Sequence, residues 1–174
     1  MKSMHKQLIK TAIFLLSMMA FLFGKSADTL KVGDMAPDFT LLSQEKKKVT
    51  LKDYRGKRVV VYFFPKADTP GWTKEACGFR DAFSEYEKAN ITVFGISYDS
   101  PKSLSAFKKK YNLPFTLLSD RDKLAAKAYG TKSRLWAKRV TFVIDGEGKI
   151  EKIYKKMNVN THAGKILDDI LGKK

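Results

Sequence analysis

The run Arg58-Val-Val-Val-Tyr-Phe-Phe64 sets the tightest limit on what this chain can fold into. β-Branched and aromatic residues favour extended backbone, and an extended chain points successive side chains to opposite faces. Here both sets are apolar, so neither face can meet water. The strand must lie inside a sheet that is covered on each side.

Covering layers are available in the rest of the chain. Phe39 to Leu42 and Lys48 to Leu51 read as short extended pieces joined by the polar turn Ser43 to Lys47, which predicts an N-terminal hairpin. Lys74 to Asn90 reads as one helix, with Ala76, Phe79, Phe83 and Tyr86 at three- and four-residue spacing. Ile91 to Tyr98 is a second buried strand. Pro101 to Tyr111 is a helix with proline in its first turn and Leu104, Phe107 and Tyr111 on one face. Phe115 to Leu118 is extended again, and Lys123 to Tyr129 is a short helix stopped at Gly130. Val140 to Ile144 and Lys149 to Tyr154 flank Asp145-Gly-Glu-Gly148, a hairpin turn, and His162 to Leu171 closes the chain as a helix. Strands alternating with helices predict an α/β fold: a central mixed β-sheet with helices on both faces. At 174 residues and 44% hydrophobic content the chain suits one domain, 28–174, with a full core. Phe63, Phe64, Phe79 and Phe83 are assigned to that core.

Residues 1–27 have a different character. A basic start (Lys2, His5, Lys6, Lys10) precedes the apolar run Thr11 to Phe23 and then small residues at Gly24, Ser26 and Ala27. This is the layout of a secretory signal peptide, with cleavage expected after Ser26 or Ala27. Thirteen residues fall short of the roughly 20 that span a bilayer. Lys25 fits poorly three residues before a cut at Ala27, which leaves an uncleaved inner-membrane anchor as the alternative. The protein is expected in the periplasm or outside the cell, with at most peripheral membrane contact.

The formal charge is +16, and without the leader's four lysines (Lys2, Lys6, Lys10, Lys25) the remainder carries +12. The lysines are scattered, with no arginine-rich or aromatic stripe, so no nucleic-acid partner is expected. Cys77 is the sole cysteine, which excludes an internal disulfide. His162 is far in sequence from any other histidine or cysteine, and neither a metal nor a cofactor is called for.

The loop after the central strand carries the chemistry. Pro65-Lys-Ala-Asp-Thr69-Pro-Gly-Trp72-Thr-Lys-Glu-Ala-Cys77-Gly-Phe-Arg-Asp81 resembles the active-site segment of peroxiredoxins, AhpC/TSA-like proteins of thioredoxin fold, in the bacterioferritin comigratory protein or peroxiredoxin Q group. The family pattern is Pro-x-x-x-Thr-x-x-Cys with a second cysteine five residues on. Agreement extends from Val32-Gly-Asp-Met-Ala-Pro-Asp-Phe39 through Arg139-Val-Thr-Phe-Val-Ile-Asp145 to the last helix. The resemblance implies a thioredoxin-dependent thiol peroxidase that reduces hydrogen peroxide and organic hydroperoxides, as a monomer or weak dimer. By position, residue 72 would be the peroxidatic nucleophile and Cys77 the resolving thiol. Thr69 and Arg139 would hold the peroxide oxygens, and Pro65 would shield the nucleophile from water. With a helix beginning at about residue 72, its N-terminal dipole would favour an anion there.

Residue 72 is tryptophan. An indole forms neither the low-pKa anion nor the oxidised intermediate that a thiol forms. Three readings stay open. Codon 72 encodes something else, since the cysteine codons, the tryptophan codon and the UGA used for selenocysteine differ only at the third base, or the residue was substituted. Alternatively, the chain is an inactive scaffold that binds a partner around Trp72. Finally, Cys77 acts as nucleophile, though it lies more than a turn from the helix start, where the dipole has faded. Taken singly, Pro65 and Thr69 are ordinary turn residues. Trp136, in the loop before Arg139, either rims the pocket or simply packs.

Overall fold

A computed structural model describes residues 30–172; the expected leader lies outside them. Strands β1 (Thr40–Ser43) and β2 (Lys48–Thr50) form the antiparallel N-terminal hairpin and run into a 3₁₀ turn, Leu51–Tyr54. β3 (Arg58–Phe63) leads into α1 (Pro70–Asp81) and α2 (Phe83–Lys88). Next come β4 (Ile91–Ser97), α3 (Pro101–Tyr111), β5 (Thr116–Ser119), α4 (Leu124–Ala128), β6 (Val140–Ile144), β7 (Ile150–Tyr154) and α5 (His162–Leu171). The strands make one mixed sheet in the order β2-β1-β5-β4-β3-β6-β7, with β3, β4 and β5 parallel and β6 antiparallel to β3.

β3 sits inside this sheet and feeds two cores. Val60, Tyr62 and Phe64 pack with Phe79, Tyr86, Leu104, Phe107 and Ile166 from α1, α2, α3 and α5. Val59, Val61 and Phe63 point the other way, to Phe39, Ala125, Ala126, Tyr129 and Phe142. Each of the six side chains from Val59 to Phe64 is at most 2% exposed. Burial at that level contributes about 1.5–3 kcal/mol per large side chain. Phe79 is fully buried as well, and Phe83 is partly buried against the same cluster.

Several boundaries differ from the sequence reading for local physical reasons. The helix expected from Lys74 to Asn90 starts four residues earlier, at Pro70, because Thr69 in extended conformation and proline at the first helical position form a ready entry. It also breaks at Ala82 (φ −90°, ψ 0°), which lies off helical geometry without any glycine or proline to announce it. Leu51 turns into the 3₁₀ segment instead of ending β2. Lys123 has φ 58°, so α4 cannot include it and begins at Leu124. The remaining strand ends shift by a residue, the usual uncertainty of element boundaries.

Gly95 on β4 leaves no room for a side chain. A methyl there would lie 2.6 Å from the Tyr62 hydroxyl oxygen and 2.9 Å from a Leu117 methyl. Both neighbours are fully buried, so neither can swing away. Gly95→Ala is therefore expected to lower the unfolding free energy by about 1–3 kcal/mol in urea titrations, the range of overpacking. Unchanged stability would mean that the Tyr62 ring is free to move.

Candidate active site

The loop between β3 and α1 is tied down from two directions and braced by a bond of its own. Ala67 N–H donates to Asp99 Oδ2 at 2.8 Å, and the Ser97 hydroxyl donates to the same oxygen at 2.9 Å. Asp68, held at φ 59°, accepts from Lys110 Nζ at 2.8 Å and from the Tyr111 hydroxyl at 2.7 Å, both on α3. Thr69 Oγ1 donates to the Lys66 carbonyl at 3.3 Å. Anchored in this way, the loop presents α1 with its N-terminus open. The Thr69 side chain caps none of the first N–H groups, which keep their partial positive charge.

Arg139 reinforces that charge. A methyl built on Gly71 would stand 3.4 Å from its Nη2, so the guanidinium lies against the first turn of α1. Position 72 is the third residue of the helix, beside this cation. Cys77 lies five residues further along and is partly exposed. Five residues turn a helix through about 500°, so positions 72 and 77 face different directions while α1 is intact. Pro65 lines a cavity of about 310 Å³ with Lys66, Tyr98, Asp99, Leu135 and Trp136. Trp136 is half exposed, and so stands at the rim instead of packing inside.

Behind the helix start is a group that the sequence reading passed over. Glu75 is 1% exposed, and neither carboxylate oxygen has a hydrogen-bond partner. Its ionisable neighbours are Arg139, with Nε at 3.8 Å, and His162, with Nε2 at 4.0 Å. Burial pushes the Glu75 carboxyl up to about 7, against the pull of Arg139. Burial, with repulsion from Arg139 and Lys165, holds the His162 imidazole down at about 4. The Tyr62 phenol is raised well above its ordinary value, first by burial and then by the Glu75 charge. His162 is far from isolated in space, since Nε2 lies 2.8 Å from Thr141 Oγ1 and its ring meets Phe79 edge-on. One signal for Glu75 was present in the sequence. It falls four residues before Phe79, on the stripe that continues through Ala82 and Tyr86, so an acid was being placed on a buried face. Nothing comparable marks His162, whose neighbours come from three other elements, α1, β6 and β7.

Among the described residues no three His, Cys, Asp or Glu side chains gather as a metal site would require. No described helix is long and apolar enough to cross a membrane.

Comparison with known proteins gives a consistent picture. Residues 32–153 match the model of the AhpC/TSA family. A relative from Coxiella burnetii is 48% identical over 147 residues, which cover 80% of this chain and 97% of its own length. Peroxiredoxin Bcp of Escherichia coli is 43% identical over 147 residues, 80% of this chain and 94% of the relative. Among solved structures, peroxidoxin BcpB of Mycobacterium tuberculosis superposes with a TM-score of 0.79 at 32% identity, covering 83% of this chain and 99% of the other.

The Asp99 anchor can be tested directly. Asp99→Ala leaves the buried Ala67 N–H unpaired and should lower stability by about 1–3 kcal/mol in urea titrations. Asp99→Asn keeps an acceptor and should retain most of it. Equal losses in the two variants would assign the effect to charge instead of to the hydrogen bond.

Proposed function

The chain belongs to the AhpC/TSA family, and from that membership we propose that it is a peroxidase of the Bcp and peroxiredoxin Q type whose reacting atom sits at position 72. The observation that carries this reading is the Arg139 guanidinium against Gly71, at an uncapped helix N-terminus. Two sources of positive potential converge there, and both favour an anionic nucleophile and the oxyanion that leaves it.

The chemistry needs a thiolate or selenolate. Its electron pair attacks one peroxide oxygen, the O–O bond breaks, and the leaving oxygen takes a proton to give water or an alcohol. Residue 72 becomes a sulfenic or selenenic acid. Cys77 then displaces water from it, which forms an S–S or Se–S bond, and a thioredoxin-like dithiol returns both residues to the reduced state. Thr69 and Arg139 hold the peroxide, and Pro65 limits water. Because positions 72 and 77 diverge on the intact helix, the second step requires the first turns of α1 to open.

Tryptophan at 72 cannot do this. We therefore assign codon 72 as UGA, read as selenocysteine in the native source, or as an altered cysteine codon. The cradle around a single chemically silent position favours this reading. The leader 1–27 would place the enzyme outside the cytoplasm.

The decisive experiment combines the intact mass of the native protein and the sequence of codon 72 with a Trp72→Cys variant in a peroxide-consumption assay driven by thioredoxin. Selenium or cysteine at 72, with turnover by Trp72→Cys that is lost on adding Cys77→Ser, supports the proposal. Tryptophan by mass and codon, with an inert Trp72→Cys, would overturn it in favour of a non-catalytic binding protein.

A further inference from the structure

The proposed chemistry needs α1 to open, and the side chains that hold α1 closed include an unusual pair. Glu75 on α1 and His162 on α5 are both ionisable and both at most 2% exposed, with 4.0 Å between carboxylate and imidazole. The two helices meet closely here. A methyl on Gly78 would touch Ala163 Cβ at 3.9 Å, and beside this contact the Tyr86 hydroxyl of α2 donates to the Ala163 carbonyl at 2.7 Å. Opening the start of α1 would carry Glu75 into water and uncover His162.

The geometry points to a one-proton latch: Glu75 and His162 are a positioning pair that holds α1 against α5 with a single proton between them, and α1 opens without net exchange of protons with solvent. In the closed form the proton is on the carboxyl and the imidazole is neutral, because a charge on either would be buried without a hydrogen-bonded counterion. In the open form at mildly acid pH the carboxyl has lost a proton and the imidazole has gained one. Thr141 Oγ1 can donate to Nε2 when that nitrogen is bare and accept from it when it carries a proton, so the contact serves either state of the ring.

The signs follow from each group separately. Glu75, raised from 4.5 to about 7 in the closed form, favours closure below about 4.5 and loses that effect as pH rises through about 7. His162, lowered from 6.5 to about 4, favours closure above about 6.5 and loses that effect as pH falls through about 4. Between these limits the two slopes oppose and cancel. The other groups facing the pair are Arg139 beside both, Tyr62 from β3, Tyr154 from β7 and Lys165 on α5, with Asp169 hydrogen-bonded to Tyr154 and to Lys165. The two tyrosines are raised above their ordinary range, so neither titrates between pH 4.5 and 6.5. Asp169 is held below its ordinary value by Tyr154 and Lys165, so it stays ionised.

This inference rests on the reading of α1 as the helix that opens, but its test needs no turnover. Amide hydrogen exchange of α1, corrected for the intrinsic rate, is measured from pH 4.5 to 6.5 in the protein and in three variants. In the parent the opening constant should be flat. In His162→Gln it should rise with pH by up to about tenfold per unit, and in Glu75→Gln it should fall with pH by a similar factor. The double variant should be flat again. Two single variants with slopes of the same sign, or with no slope, would overturn the latch. A variant that fails to fold still leaves the remaining single variant to carry the sign. Failure of the peroxidase assay together with opposite slopes would remove the proposed function and keep the latch.

Discussion

Everything in this structure follows from a strand that cannot show either face to water. β3 and Phe64 just after it bury three side chains toward α1, α2, α3 and α5, and three toward α4 and the N-terminal segment. With both faces apolar, a one-residue slip would exchange the two sets, so register is fixed by fit instead of by polarity. Gly95 is one place where that fit becomes strict, because Tyr62 on the neighbouring strand fills the space a side chain would need.

The same strand determines where chemistry can happen. At its C-terminal end the chain leaves the sheet, and the loop is pinned by Asp99, which follows the parallel neighbour β4. α1 then starts over the sheet edge with its N–H groups uncapped. In open α/β sheets the carboxyl ends of parallel strands are the natural place for a ligand, and here Arg139, just before β6, reaches the same point. A helix dipole and an arginine are thus brought together by topology, from residues almost seventy positions apart in the chain.

The sheet, its two covered faces and both hairpins were legible in the sequence because each rests on a local pattern: period two in the strands, period three to four in the helices, and Asp145 to Gly148 in a turn. What the sequence hid was set by contacts between distant residues. The break at Ala82 redirects a helix so that Phe79 and Tyr86 can both be buried, and no residue in the segment signals it. His162 read as isolated because Thr141 and Glu75 lie 21 and 87 positions away, and only the packing of α1 and α5 together on the sheet brings them near it. Glu75 was visible as an acid on an apolar stripe, but its significance depends on burial, which spacing alone could not reveal.

Glu75 also bears on what kind of protein this is. A buried carboxyl without a hydrogen bond disfavours the folded state, and an apolar side chain of similar size would remove that penalty. A scaffold that only displays a surface has no physical use for such a group one turn inside a helix and 3.8 Å from Arg139. A peroxidase does, because its helix must be stable enough to hold the peroxide and unstable enough to let two residues on different faces meet. A pair of side chains that trade one proton as the helix opens is suited to that compromise. The buried, unpartnered carboxyl behind position 72 therefore supports the proposed peroxidase over a scaffold that only displays a surface.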